Sequence, residues 1–307
     1  MGDVVVEWCD RYVYLGSVFT SDGSISSAIA AHAQSRMCHI LKFASFVKKN
    51  SDTPFYVKRR IFDAALMSSV LHGCESWLNG DLKPIVKLYN WGAKQLLGVR
   101  MTTCNDLCYL ELGLPPLRAL VTSRQRKFFR CMWSERRELN DDPWSHAVRL
   151  AMEANIPSGQ FISDLISQEK DDIAEAMSDL KTSVAASNSS RRTTYVALNP
   201  DFTVHELYVT RMFFNDLYRT SFTRLRVCGH NLAVETGRWN RRGRGRLPLE
   251  ERLCSCGEVQ TELHVVESCV LTQPLREHHR FTSWHELMAK DARDAARIVH
   301  LLLSTYQ

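Results

Sequence analysis

Three cysteines and one histidine lie close together near the C-terminus, in the order Cys254-x-Cys256-x7-His264-x4-Cys269. Three thiolates and an imidazole form the donor set that zinc binds tetrahedrally in closed structural sites. Gly257 follows the first pair, where the backbone needs freedom to turn both sulfurs toward one ion. Because protein side chains would fill all four positions, the pattern predicts a structural zinc ion and no catalytic water.

The same residues have a plainer interpretation. Three reduced cysteines can lie in a hydrophobic core, and the histidine can be unrelated to them. His278 and His279 are also near enough in the sequence to replace one of the proposed ligands.

An arginine–glycine segment, Arg238-Trp-Asn-Arg-Arg-Gly-Arg-Gly-Arg246, precedes the cysteines. Residues 219–252 hold nine arginines against three glutamates, so this region carries +6 whereas the whole chain carries +5. Guanidiniums bind phosphate bidentately, glycines keep the backbone mobile, and an exposed tryptophan can stack on an unpaired base. We therefore expect RNA or single-stranded DNA as partner, although a solvated basic face or a nuclear localisation signal would use the same residues. The predicted contact residues are Arg224, Arg226, Arg238, Trp239, Arg241, Arg242, Arg244 and Arg246.

Composition limits the class of protein. A chain of 307 residues with 45% hydrophobic residues can bury a large core. The sequence contains no apolar run long enough for a membrane span, and its N-terminus lacks the features of a signal peptide. We expect an intracellular protein, nuclear or cytoplasmic rather than secreted, with mostly reduced cysteines.

Apolar residues recur at helical spacing over most of the chain. The exceptions are Val4 to Trp8 and Tyr12 to Phe19, where β-branched and aromatic residues predict a short hairpin. The predicted fold is predominantly α: a helical bundle with a short N-terminal β-hairpin and a small C-terminal zinc knuckle. Helices are predicted over Ser24 to Lys49, Phe55 to Leu78, Leu82 to Leu97, Asn105 to Gly113, Leu117 to Arg137, Val204 to Tyr218, Arg224 to Glu235 and Ser283 to Leu303.

Three segments are expected along the chain. Residues 1–24 form the hairpin, residues 25–186 form the helical body, and residues 195–307 form a basic helical region that contains the knuckle at 254–269. The polar stretch 187–194 is the predicted linker.

Residues that could carry catalysis are not grouped in the sequence. Asp141-Asp142 and Asp171-Asp172 lack the aromatic neighbours of a metal-binding hairpin, so we interpret them as acidic helix starts. The sequence shows no Ser-His-Asp arrangement and no phosphate-binding glycine loop. We therefore expect neither catalytic residues nor a small-molecule substrate.

Four sequence elements occur in a family-specific order. They are Tyr14-Leu-Gly-Ser-Val-Phe-Thr-Ser-Asp-Gly-Ser24, His72-Gly-Cys-Glu-Ser-Trp77, Leu88-Tyr-Asn-Trp-Gly-Ala-Lys-Gln-Leu-Leu-Gly-Val-Arg100, and the arginine segment through Cys269. Over nearly the whole chain, this series resembles the C-terminal part of LINE-type, non-LTR retrotransposon reverse transcriptases. The resemblance implies that Tyr14, Leu15 and Gly16 belong to a primer-grip hairpin, that residues 25 to about 100 resemble a helical thumb, and that Cys254, Cys256, His264 and Cys269 are knuckle ligands.

The resemblance also implies what this sequence lacks. It does not extend to fingers or palm, and no aromatic-x-Asp-Asp hairpin is present to bind catalytic metal ions. The leading hypothesis is therefore a nucleic-acid-binding C-terminal fragment of a reverse transcriptase that is not an enzyme on its own. Two alternatives stay open: a subunit, or wrongly delimited part, of an active RNA-directed DNA polymerase encoded upstream, and a co-opted or inert helical scaffold.

Overall fold

The computed structural model describes residues 8–135, 157–211, 215–239 and 245–306. This part of the chain is mainly helical and has one two-stranded antiparallel sheet near its start, which confirms the predicted predominantly α fold with a short hairpin. The chain divides into two compact units: unit 1 comprises residues 1–43, 62–92 and 115–179, and unit 2 comprises residues 44–61, 93–114 and 180–307. No helix within the described ranges combines the length and the apolar composition that crossing a membrane requires.

The hairpin consists of β1 (Arg11–Tyr14) and β2 (Ser17–Thr20), which are antiparallel. Leu15 and Gly16 connect the strands with φ angles of 49° and 84°, both in the left-handed region. Such a two-residue turn matches the right-handed twist of the paired strands. The predicted hairpin is therefore present but shifted, because the segment from Tyr12 to Phe19 supplies both strands instead of one.

The helices follow in chain order. They are α1 (Ile25–Lys49), α2 (Phe55–Ile61), α3 (Ser68–Val70), α4 (Lys83–Leu97), α5 (Asn105–Leu112), α6 (Leu117–Glu135), α7 (Pro157–Ser167), α8 (Asp172–Ala185), α9 (Ser190–Leu198), α10 (Glu206–Val209), α11 (Asp216–Arg226), α12 (Ala233–Thr236), α13 (Gln273–His279), α14 (Trp284–Met288) and α15 (Ala292–Ser304). Two π-helical segments, Phe62–Met67 and His264–Ser268, and three 3-10 turns, Cys74–Ser76, Leu249–Glu251 and Val270–Thr272, complete the described elements.

Several predicted helices are shorter than expected. The run predicted from Phe55 to Leu78 changes to π-helical geometry at Phe62–Met67 and ends its regular helix at Val70. Farther along the chain, α11 and α15 begin inside predicted helices, each directly after a residue whose side chain caps the N-terminus of the new helix. The amide of Leu217 donates to Asn215 Oδ1, which caps α11, and the amide of Arg293 donates to Asp291 Oδ1, which caps α15.

The stretch predicted as a linker is helical from Ser190 onward, so that prediction is wrong for most of its length. Two arginines in α9 explain the difference. Arg191 forms an ion pair with Glu235 at 2.6 Å, and Arg192 forms one with Asp106. Both contacts lie within unit 2, and they hold this polar segment against other helices. The proposed division into segments 25–186 and 195–307 remains a prediction.

Unit 1 uses a buried arginine to join its helices. Arg126 of α6 binds Asp172 through two nitrogens, at 2.8 and 2.9 Å. Its remaining donors cap the end of α7 through the carbonyls of Leu165 and Gln168. The acidic pair Asp171-Asp172 lies at the start of α8, as predicted, and Asp171 accepts from two backbone amides there. The pair Asp141-Asp142 lies outside the described residues.

Unit 2 is built around a cluster of buried apolar side chains, to which α15 contributes more than any other helix. Phe222 is fully buried in this cluster, with its ring 6.1 Å from that of Trp284 and 4.5 Å from that of His205. Trp284 also donates its indole N–H to the carbonyl of Leu198 at 2.8 Å. This core extends to Val265 and Val266, which immediately follow one proposed metal ligand.

Candidate metal centre and nucleic-acid interface

A tight hairpin positions the first two cysteines of the knuckle. Leu253 and Val259 pair as an antiparallel bridge, and the amide of Cys254 donates to the carbonyl of Glu258 at 2.7 Å. Gly257 closes the turn at a φ of 96°, which L-residues rarely adopt. The predicted need for glycine after Cys256 is therefore confirmed by the backbone.

The other two potential ligands flank the π-helical segment that follows. His264 is its first residue and Cys269 comes directly after its last, with the amide of Cys269 donating to the carbonyl of His264 at 2.8 Å. Val265 and Val266 between them are fully buried in the core of unit 2. This anchor turns both ligand side chains toward the hairpin.

The four donor atoms form one cluster, in which all lie within 4.8 Å of one another. Cys254 Sγ is 3.6 Å and Cys256 Sγ is 3.8 Å from Cys269 Sγ, and Cys256 Sγ is 3.3 Å from His264 Nε2. A zinc ion with Zn–S bonds of about 2.3 Å would separate tetrahedral sulfurs by about 3.8 Å. A disulfide would require about 2.05 Å between sulfurs, so these cysteines are free. The geometry fits a metal ion.

The electrostatics of the cluster also suit a cation. Burial raises the pKa of Cys254 and lowers the pKa of His264, so the neutral thiol and the neutral imidazole are favoured without a counter-charge. Neutral imidazole is the ligating form of histidine, and a bound cation would stabilise the thiolates. Ser268 Oγ lies 3.3 Å from His264 Nδ1, where it can accept the ring proton and leave Nε2 free for a metal.

His278 and His279 do not join this cluster. They lie on α13, where their rings contact each other edge to face at 4.7 Å. Cys254, Cys256, His264 and Cys269 are thus the predicted ligands that the fold brings together.

The knuckle hairpin is joined to the base of the arginine segment by one side chain. Arg252 is buried and donates to the carbonyls of Leu247 and Val234, at 2.6 to 3.0 Å. The amide of Leu247 donates to the carbonyl of Gly237 at 2.9 Å, so the two ends of segment 238–246 are tied together. The knuckle and this base therefore form one structural element.

The predicted contact residues have different surroundings. Arg246 is exposed, and Trp239 is 40% exposed with the guanidinium of Arg100 stacked 4.5 Å from its ring centroid. Arg238 pairs with Glu235 at 2.7 Å and donates to Ser190 Oγ, whereas Arg224 is exposed and donates to the carbonyl of Gly98. Arg241, Arg242 and Arg244 lie outside the described residues.

Arg226 is a correction to the predicted interface. Only 3% of this residue is exposed, and its guanidinium binds Glu111, itself fully buried, at 2.8 and 3.1 Å. Tyr195 and Tyr208 donate to the same carboxylate. A guanidinium held in this way stabilises the fold and cannot reach a phosphate. Spacing could not reveal it, because Arg226 and Glu111 are far apart in the sequence.

A second group of potential ligands also escaped prediction. Cys228, Glu235 and Glu262 are buried, and their donor atoms lie within 4.8 Å of one another. Glu235 already pairs with Arg191 and Arg238, and Glu262 accepts from His230 Nε2 at 2.8 Å. Because arginines pair with Glu235 and His230 contacts Glu262, we interpret the group as an ion-pair network.

The predicted primer-grip residues lie at the turn of the hairpin in unit 1. Tyr14 and Leu15 are 57% and 79% exposed, and His72 Nε2 lies 2.9 Å from the carbonyl of Leu15. A Cβ at Gly16 would lie 2.8 Å from His72 Nε2 on a backbone with a φ of +84°, so any other residue here would be strained and would displace the His72 ring. Two of the four sequence elements that carry the family resemblance thus pack against each other.

No protein-family model, curated protein or solved structure matches this chain. Its function must therefore be argued from the geometry and chemistry of these sites.

Proposed function

We propose that unit 2 binds single-stranded nucleic acid, RNA or DNA, and that a structural zinc ion in the knuckle organises the binding segment. The observation that carries this proposal is the cluster of Cys254, Cys256, His264 and Cys269, whose donor atoms all lie within 4.8 Å of one another beside the end of the arginine segment that Arg252 holds. Three sulfurs and one imidazole nitrogen favour zinc over the oxygen-preferring cations.

Arg252 connects metal binding to the nucleic-acid segment. The amide of Gln260 donates to the carbonyl of Arg252 at 2.9 Å on the hairpin, while the Arg252 guanidinium holds Leu247 and Val234. An ion that closes the hairpin therefore also fixes the ends of segment 238–246. When both ends of the arginine segment are already ordered, less conformational entropy is lost as the segment binds a nucleic-acid strand.

The arginine segment supplies the chemistry of binding. Its cations can neutralise phosphates, and the exposed Trp239 can contact an unpaired base. Association of this type releases counterions, so the slope of log affinity against log salt should be about −0.7 per neutralised phosphate on a single strand.

The metal is tested first, on the full chain. Zinc content measured by elemental analysis should be one ion per chain for the wild type and should fall sharply in His264→Ala. His279→Ala, which removes a histidine outside the cluster, is the matched control and should keep the ion. Equal zinc content in all three proteins would contradict the assigned ligands.

Nucleic-acid binding is tested by fluorescence anisotropy with a labelled single-stranded oligonucleotide. Affinity should fall with salt and with zinc chelation, and Trp239→Ala should weaken it by about 1–3 kcal/mol if a base stacks there. Trp8→Ala is the matched control, because Trp8 is 99% exposed and lies in unit 1. The full chain is required because residues 195–307 alone would leave buried Arg226 without Glu111. Affinity indifferent to both salt and chelation would rule out this function.

We also propose that the chain derives from the C-terminal part of a LINE-type reverse transcriptase and does not polymerise alone. The contact between the turn at Leu15–Gly16 and His72 supports this, because it joins two of the resembling elements. Genomic sequence upstream of Met1 provides the test. An in-frame palm with a paired-aspartate hairpin would instead favour a polymerase that includes this region.

A further inference from the structure

Unit 2 contains a small pocket outside the arginine segment, lined in part by Arg100, Ser221, Arg224 and Asn231. Its two arginines come from different parts of the chain, one just after α4 and one from α11. The pocket is of about 30 Å³, so it accommodates a group of a few atoms and not a nucleoside.

The arginines of unit 2 differ in whether a carboxylate neutralises them. Arg191, Arg192, Arg219, Arg226 and Arg238 all form ion pairs with aspartate or glutamate. Within the described ranges, by contrast, neither Arg100 nor Arg224 has a carboxylate at salt-bridge distance. Two cations in one pocket without such a partner form a local excess of positive charge.

The surrounding contacts orient these two side chains without neutralising their positive charge. The Arg100 guanidinium stacks on Trp239, and stacking leaves the N–H groups at its edge free to donate. Arg224 uses Nε to donate to the carbonyl of Gly98 at 3.0 Å, which holds the guanidinium at the C-terminal end of α4. Burial lowers the pKa of Arg100, and the positive charge of nearby Arg224 lowers it further, whereas the negative charge of Glu235 acts in the opposite direction.

We propose that Arg100 and Arg224 form a phosphate-binding site, which takes one phosphate of the strand held by the arginine segment. Planar guanidiniums bind a phosphate through paired hydrogen bonds, and Asn231, which is exposed, adds a neutral amide at the same pocket. The strand is the source of the phosphate only if the proposed nucleic-acid binding is correct, so this part rests on that function. Trp239 then connects the pocket to the arginine segment, because Arg100 stacks on it.

The test compares three single variants of the full chain: Arg100→Gln, Arg224→Gln and, as control, Arg297→Gln on α15. Arg297 is exposed, does not line the pocket, and loses the same charge on substitution. We expect each pocket variant to weaken oligonucleotide binding about tenfold and to reduce the salt slope by about 0.7, the value for one lost phosphate contact on a single strand. The control should change neither quantity by that amount.

Arg100→Lys and Arg224→Lys distinguish the loss of a phosphate contact from misfolding of the variant. Each keeps the positive charge and should keep the salt slope, while losing affinity because lysine cannot form the paired hydrogen bonds. Circular dichroism and zinc content should match the wild type in every variant that is compared.

A second arm uses inorganic phosphate alone, titrated against the arginine Nε–Hε signals of the full chain at constant ionic strength. The signals of Arg100 and Arg224 should shift with saturation, whereas that of Arg297 should not. If the oligonucleotide fails to bind but phosphate still shifts both signals, the site takes free phosphate and the strand-binding part is wrong. If the oligonucleotide binds equally to the pocket variants and the control, the phosphate site is wrong while the nucleic-acid function stands. Failure of both arms overturns both proposals.

Discussion

Glu111→Gln should lower the free energy of unfolding of unit 2 by about 3–5 kcal/mol, because it leaves the charge of buried Arg226 without a counter-ion. The wild-type carboxylate is fully buried and accepts from Arg226 at 2.8 and 3.1 Å. It also accepts from Tyr195 at 3.0 Å and from Tyr208 at 2.9 Å. Four donors therefore converge on one side chain.

The size of the effect follows from this convergence. An ionised carboxylate offers only acceptors, whereas glutamine replaces one oxygen with a donor amide that must face a guanidinium or a hydroxyl. Burial and the charge of Glu111 raise the pKa of Tyr195 and Tyr208, so both hydroxyls stay protonated. Each therefore keeps a proton that it must donate to an acceptor. The substitution thus loses the ion pair and leaves at least one buried donor unsatisfied.

Urea unfolding followed by circular dichroism, with zinc present, measures this loss. Asp106→Asn is the matched control: Asp106 also lies on α5 and pairs with Arg192, but these side chains are 29% and 27% exposed, so we expect a loss of about 0–1 kcal/mol. The double variant Glu111→Leu with Arg226→Met should lose less than Glu111→Gln, since no unpaired charge remains. A Glu111→Gln protein as stable as Asp106→Asn would refute the reasoning.

Three further predictions concern pH, a turn and local stability. Burial and the charge of Arg226 lower the pKa of His205 from 6.5 to about 4. The stability that neutral His205 contributes is therefore fully present above pH 6.5 and is lost as pH falls toward 4. Unfolding measured at several pH values should show a weaker acid dependence in His205→Asn than in the wild type. Gly98→Ala should cost about 1–2 kcal/mol in thermal or urea unfolding, because φ is +74° and the new Cβ would lie 3.1 Å from Thr220; unchanged stability would argue against this backbone. Amide exchange should be faster in the exposed hairpin 11–20 than in α15, and the reverse order would contradict the expected weakness of the N-terminal region.

Features encoded locally could be predicted from the sequence. The knuckle is one example, because its four potential ligands all lie within residues 254–269, on one short hairpin and the π-helical segment that follows it. The end of α4 is another, since Gly98 adopts the left-handed conformation that terminates helices. The predominantly helical fold likewise follows from apolar periodicity.

Features that depend on distant partners could not be predicted. Charge density placed Arg226 in the nucleic-acid interface, but its location is set by Glu111, Tyr195 and Tyr208, which three other helices supply. The linker prediction failed for the same reason. A polar sequence indicates a loop only until ion pairs stabilise it as a helix, as Glu235 and Asp106 do for α9.

By itself the sequence determined that this protein is mainly helical, that its basic charge is concentrated in residues 219–252, and that a cluster of potential metal ligands follows that region. Tertiary structure alone decided which arginines are neutralised by a carboxylate inside the fold and which are not, as Arg226 and Arg100 illustrate. The physical reason is that a guanidinium carries the same charge everywhere in the sequence, whereas its availability depends on burial and on the carboxylates that folding brings within reach.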